Sequence, residues 1–447
     1  MNKYKYILCF FAFTLSVNAQ QKQMSLSLNE AINFALQNSY NTKIAKNNIL
    51  AAKETKWETT TIGLPQINGK IDYQNFIKQP ISLLPAEISG GPAGTFVPVT
   101  FGTKQNVNAT VTLTQLLFDG SYLVGLESAK TYLQISEQAK EKTDLGVREA
   151  VINAYGNVLV SEKSLEILLK NKKVNDRILK GARVGYENGL AELEDVEQFE
   201  IIEGNISNNI KASKRLRTIA YKLLNITLGN RIDTELTLTD TLENLVLENT
   251  KLSLLSKNFI LNNHIDFKIA ENDRESKRLL MKLEQSKALP SLSAFINYGS
   301  QANSNSFSFL SGSQKWFDSS LLGVSLNIPI FSSFKRSAKT AQAKIALESA
   351  DIRLEEAKER LSLAAESAKS DYQLSIDNYH TAKKNLSLAE KIERKQQIKF
   401  KEGITTNFDL LQAQNQLYTQ QQNYIQSLLN VVTKKATLEN ALNIPVK

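Results

Sequence analysis

Cysteine is almost missing from this 447-residue sequence. Cys9 stands alone, inside the first twenty residues. Beyond it the chain offers no disulfide and no thiol chemistry, so packing alone must hold it together. Histidine is nearly as scarce. His264 and His380 lie far apart, with no ligand-spaced partner, which argues against a histidine metal centre. No glycine-rich phosphate loop and no Ser-His-Asp arrangement can be anchored on the sequence, so neither an enzyme nor a bound cofactor is expected. Beyond residue 19 no stretch holds 18 consecutive apolar residues, which excludes a membrane-spanning helix. The other way through a bilayer is a β-barrel.

Proline is absent from Ser121 to Tyr186, where glycines occur only singly. From Phe334 to Phe400 proline and glycine are both absent. Each stretch predicts one uninterrupted helix of about 65 residues, roughly 100 Å long at 1.5 Å per residue. A globular domain does not hold such a helix, so a coiled coil or helical repeat is expected. The apolar spacing agrees. Ala350, Leu354, Ala357, Leu361, Ala364 and Ala368 step by fours and threes, as do Val147, Val151, Ala154 and Val158.

Charge of one sign does not dominate either. The formal net charge is +9, but Lys and Arg alternate with Glu, Asp and Gln along the helical stretches. That is the pattern of a solvated helix surface, not of a nucleic-acid-binding patch. Residues 1–19 have Lys3 and Lys5, an apolar run from Ile7 to Val17, and Val17 and Ala19 at the places of a cleavage site. They read as a secretory signal peptide, with the mature chain starting at Gln20.

What is present is a duplication. "GYENGLAELEDVEQFE" at 185–200 returns as "KFKEGITTNFDLLQAQ" at 399–414. Tyr186 and Phe400, Gly189 and Gly403, and Asp195 and Asp409 share one offset of 214 residues. "TIGLPQINGKIDY" at 61–73 matches "SKALPSLSAFINY" at 286–298, and "LLFDG" at 116–120 pairs with "PIFSS" at 329–333. The expected repeats are 20–245 and 246–447. Each reads as a helix of about 25 to 35 residues ending near Leu-Pro, two strands, a very long helix, a glycine turn and a shorter returning helix.

The strands are expected at Gln66–Phe76, Asn106–Phe118, Ser291–Ser300 and Ser320–Phe331, from apolar residues alternating with polar ones. Phe295 breaks the alternation. Strands of about 10 residues suit a tilted membrane crossing, and aromatics gather at their ends. Residues 77–104, rich in Pro and Gly, and 301–315, rich in Ser and Asn, read as non-periodic outer loops. Gly189 and Gly403 stand where each long helix must reverse. Asp195 and Asp409 fall in the first turn of the returning helix, where the helix dipole favours a carboxylate. Four strands cannot close a barrel, so several chains must share one.

The duplicated Leu-Pro strand (Leu64, Pro65; Leu289, Pro290), the strand-to-helix "FDG" and "PIFSS", and the duplicated aromatic-x-x-Gly turn followed by Asp are together similar to the TolC-like outer membrane factor family. The resemblance implies an α+β membrane protein: a homotrimer whose 12-stranded β-barrel, four strands per chain, lies in outer-membrane lipid and continues as an α-helical tunnel in the periplasm. It implies an exit channel for tripartite efflux or type I secretion. The expected partners are a periplasmic adaptor and an inner-membrane pump of the RND or ABC type, with no nucleic acid. By motif position, the acidic residues of the periplasmic aperture fall on Asp195 and Asp409, and a second acidic place falls on Gln412. The tyrosine and arginine of the closing links fall on Phe400 and Thr405, which have neither hydroxyl nor charge to match, so closure here must rest on something else. The adaptor is expected at the turns, around Tyr186, Gly189 and Gly403. The rival reading, a periplasmic coiled-coil structural or adaptor protein, would have the helical hairpins without the paired strands.

Overall fold

The computed structural model describes residues 24–249 and 252–445. The expected signal peptide and Cys9 lie outside the described residues. The chain divides into two compact units. One is built from the segments up to Lys46, Lys140–Ile265 and from Glu359 onward. The other is built from Asn47–Ala139 and Asp266–Lys358. Both units draw on both halves of the sequence, so the compact units are not the sequence repeats.

The element order nonetheless repeats. After β1 (Met24–Leu26), α1 (Leu28–Asn38) and α2 (Tyr40–Thr61) come β2 (Gln66–Asn75), the hairpin β3 (Ile81–Pro85) and β4 (Phe96–Thr100), and β5 (Gln105–Asp119). Then α3 (Gly120–Glu187) and α4 (Leu193–Leu228) form the first helical hairpin. Past β6 (Leu236–Leu238) and α5 (Leu242–Asn249), the order returns as α6 (Ile265–Ser286), β7 (Ser291–Ser304), β8 (Trp316–Asn327), α7 (Lys335–Lys401) and α8 (Asn407–Ala441). The long helices begin and end within one residue of the proline-free limits. The helices before Leu-Pro are shorter than expected: α6 has 22 residues, and Ser39 separates α1 from α2.

In the strand-bearing unit, β2, β5, β7 and β8 form one antiparallel sheet in that order. Its register aligns Ile67, Leu113, Ile296 and Leu322 in one row, and Tyr73, Val107, Ala302 and Trp316 in another. These rows make one apolar face. On the opposite face lie Asn68, Thr112 and Asn297, with Asn297 Nδ2 donating to Thr112 Oγ1 at 2.7 Å, and an ion pair between Lys70 and Asp72 at 3.0 Å.

Phe295, the residue that breaks the alternation, points to the polar face opposite Gly323. A Cβ at position 323 would stand 2.4 Å from the Phe295 ring. The ring occupies the space that the glycine leaves, and so covers its bare backbone. β8 ends at Asn327, four residues before the expected limit, because Pro329 has no amide to give to the ladder. Beyond it, Phe331 and Phe334 meet edge to face at 6.0 Å, and Phe334 holds a positive φ of 64° where α7 begins. In the first repeat the same junction is capped by Asp119, whose Oδ1 accepts the amides of Ser121 and Tyr122 at 2.6 and 3.0 Å. Residues 77–104 are not an irregular loop: β3 and β4 pair through five residues each.

The other unit has the main core. Val147, Val151, Ala154 and Val158 of α3 pack with Leu224 and Leu228 of α4, Tyr372 and Ile376 of α7, and Leu428 and Val432 of α8. Tyr155, fully buried, donates from its hydroxyl to the Leu26 carbonyl and to Asp240 Oδ2, both at 3.0 Å. Asp240 Oδ2 also accepts the Leu28 amide at 2.7 Å. This network seats the parallel pair β1–β6, which pattern reading could not find in three-residue strands.

Candidate functional site

The ends of the helical hairpins hold all the singled-out residues. Both long helices finish in the same Schellman motif. In the first, the Leu190 amide donates to the Gly185 carbonyl at 2.8 Å and the Gly189 amide to the Tyr186 carbonyl at 2.9 Å. In the second, Ile404 donates to Lys399 at 2.8 Å and Gly403 to Phe400 at 3.0 Å. Each bond has its counterpart 214 residues away. Gly189 and Gly403 take φ of +75° and +69°, the left-handed conformation that a side chain would strain. The residue after each glycine is apolar and is left in the open. Leu190 is 85% exposed and Ile404 73%, with Phe408 at 72%.

The returning helices start differently. Thr406 caps α8 in a reciprocal box. Asp409 N–H donates to Thr406 Oγ1 at 3.2 Å, and the Asp409 carboxylate accepts from the Thr406 amide at 3.4 Å and the Thr406 hydroxyl at 2.8 Å. Thr405 Oγ1 adds a fourth bond at 2.9 Å. These donors, Thr406 first, hold the Asp409 carboxyl below the usual carboxylate range. At α4 the cap position is Glu192, whose side chain makes no capping bond. Asp195 donates its amide to the Glu192 carbonyl at 3.2 Å. Its half-buried carboxylate takes no side-chain partner among the described residues.

Phe400 does not stand alone. Its ring meets Phe199 edge to face at 5.8 Å, beside Leu179, Ala182, Val196 and Leu410. Thr405 serves Asp409, and Gln412 is exposed. Polar links between the hairpins are made by other residues. Asn407 Nδ2 donates to Gln198 Oε1 at 3.1 Å, and Asn171 Nδ2 to Gln421 Oε1 at 2.8 Å. Nothing in the motif alignment marked Asn171, Gln198 or Phe199. Their only signal is position, polar or aromatic residues on the buried stripe of a long helix. Further along α7, Glu393 is nearly buried. Burial pushes its carboxyl up, against an opposing hydrogen bond from Gln397 Nε2.

Residues 96–224 and 258–443 match the family model described as "Outer membrane efflux protein", well over half of the chain. The chain belongs to the outer membrane efflux protein family. TolC of Vibrio cholerae is 23% identical over 339 residues, covering 75% of this chain and 76% of its own. The toluene efflux pump outer membrane protein TtgC of Pseudomonas putida is 24% identical over 322 residues, 71% of this chain and 64% of its own. Among solved structures, VceC of Vibrio cholerae superposes with a TM-score of 0.70 at 16% identity, over 94% of this chain and 97% of its own. The MtrE channel of Neisseria gonorrhoeae superposes at 0.68 and 16% identity, over 93% and 88%.

Family membership places this outer-membrane efflux channel in the trimeric class, a shared β-barrel continued by a helical tunnel in the periplasm. The apolar face of the sheet is then the lipid face, and the polar face lines the channel. The adaptor-without-barrel reading is set aside by the paired strands and the family match together. Members of the family are channels, not enzymes.

Proposed function

We propose that the homotrimer is the exit duct of a tripartite assembly. An inner-membrane pump of the RND or ABC type, joined through a periplasmic adaptor, would discharge into it, in efflux or in type I secretion. The duplicated repeats 20–245 and 246–447 would give each chain two hairpin tips, so that six surround the periplasmic entrance. The observation that carries this reading is the pair of matched Schellman turns with Leu190 and Ile404 left in water. An apolar residue at that place commonly packs back on its own helix, and here both remain free for a partner's side chains. Asp195 and Asp409 supply carboxylates one turn behind, with Gln412 beyond them. We assign Phe400 and Thr405 supporting roles: Phe400 in the contact between hairpins and Thr405 in orienting Asp409.

Photoreactive residues at Tyr186, Leu190 and Ile404 should capture an adaptor in intact cells, whereas Lys369, midway along α7, should not. Equal capture from Lys369 would sink docking at the tips.

A further inference from the structure

The β3–β4 hairpin is an unusual segment to leave in water. From Gln79 to Thr103 its one charged residue is Glu87. That carboxylate accepts the Gly94 amide within the hairpin's own turn at 3.1 Å. Alternation puts Ile81, Leu83 and Phe96 on one face and Leu84, Val97 and Val99 on the other. Ile81, Leu83 and Phe96 are 60%, 65% and 62% exposed. A lone two-stranded hairpin is marginal in water, and one that is apolar on both faces gains nothing by turning over. Its base is nonetheless built. Phe76 donates to the Lys104 carbonyl at 2.8 Å, and Gln79 Nε2 to the Gly102 carbonyl at 3.2 Å. The second repeat has no counterpart. Its connection after β7 lays Phe309 against Val107 and Ala302 on the lipid face.

The hairpin's position says what covers it. It joins Asn75 of β2 to Gln105 of β5, at the end of the sheet away from the helices, the outer side of the membrane. β2 is an edge strand, so in the trimeric barrel it runs along the boundary with the next protomer. Lipid tails do not reach the hairpin. The aromatic cluster of Tyr73, Phe307 and Phe309 marks the interface level below it, and Lys78 and Lys104 bracket its base. A threefold axis gives each hairpin two neighbours in a head-to-tail ring. Two apolar faces match two neighbours.

We propose that the three β3–β4 hairpins pack face against face around the threefold axis and cap the outer mouth of the channel with apolar side chains. Pro85 and Pro98 have no amide to give, which keeps the strands from zipping to a neighbour's backbone. The contact is therefore made by side chains, and it can part for cargo. The inference rests on the trimeric barrel and not on the adaptor or the pump.

The full-length protein with Leu83→Cys and Val97→Cys tests it in outer-membrane vesicles. Cys9 lies within the expected signal peptide, so no other thiol competes. The two positions face opposite sides of one hairpin, which bars a disulfide within a chain. Diamide takes up two electrons and two protons from each thiol pair, and it should convert the double variant, but neither single variant, into covalent trimers. A second readout avoids the crosslink. Asn108→Cys on the channel face should react with a bulky maleimide added to intact cells several-fold faster once residues 79–103 are replaced by a short Gly-Ser turn. Equal labelling of the two forms overturns the cap. So do oxidised samples that stay monomeric while their mass in mild detergent is that of an intact trimer. Loss of the trimer itself overturns the barrel, and the cap with it.

Discussion

At the scale of residues, the two tip aspartates have the same place in the repeat and different surroundings. The Asp409 carboxylate accepts three hydrogen bonds from Thr405 and Thr406 while its amide donates a fourth to Thr406 Oγ1, and Asp195 is held by its own amide alone. This gives the tip a pH dependence with two signs. Asp409 has its carboxyl lowered, so its contribution is present above the ordinary carboxylate range and is lost as the pH falls through the lowered value. Glu393 has its carboxyl raised by burial, so its contribution is full below that range and is lost as the pH rises through the raised value. Hydrogen exchange of the tip amides should read both. Glu393→Gln should slow exchange at neutral pH and leave it unchanged in acid. Asp409→Asn should speed exchange at neutral pH and remove the acid-side change. Variants with the wild-type profile would refute these assignments. The motif alignment located both aspartates but not this asymmetry, because Thr405 and Thr406 have no counterparts in the first turn, "LAELED".

At the scale of elements, the long helices were the most legible feature. Their limits are set by where proline and glycine stop and start. The seam was less so. In α7 the buried stripe passes through Ala350, then Ala365 and Ala368, Tyr372, Ile376 and Tyr379, while Ala364 is exposed. A strict 3.5-residue repeat picks Ala364. The observed stripe takes 15 residues over four turns from Ala350 to Ala365, and so drifts off that repeat. Ala365→Leu should therefore overpack the stripe and cost about 1–3 kcal/mol, read as a lower unfolding midpoint in detergent. An unchanged midpoint would reject the assigned stripe. Tyr155→Phe tests the network around β1. Losing the hydroxyl strips the Leu26 carbonyl and Asp240 of a buried donor, and about 1–3 kcal/mol of stability should go with it. The hairpin β3–β4 was illegible for a physical reason. Apolar residues on both faces erase the two-residue period, and its prolines and glycines read as loop.

At the scale of the whole molecule, four strands with two open edges explain why one chain cannot be the working unit. The sequence announced this through strand number and length, and the family match agrees. It did not announce how the periplasmic entrance is lined, because a first-turn carboxylate serves equally well as a cap and as a channel group. Three chains bring together six such carboxylates at the proposed entrance. Their local field should outweigh the positive net charge of the chain and favour cations. The most direct test is planar-bilayer recording of purified wild-type trimers beside the Asp195→Asn, Asp409→Asn double variant. The account predicts a cation-preferring channel whose preference disappears in the double variant while the trimer stays intact. Identical ion selectivity in the two proteins would contradict it.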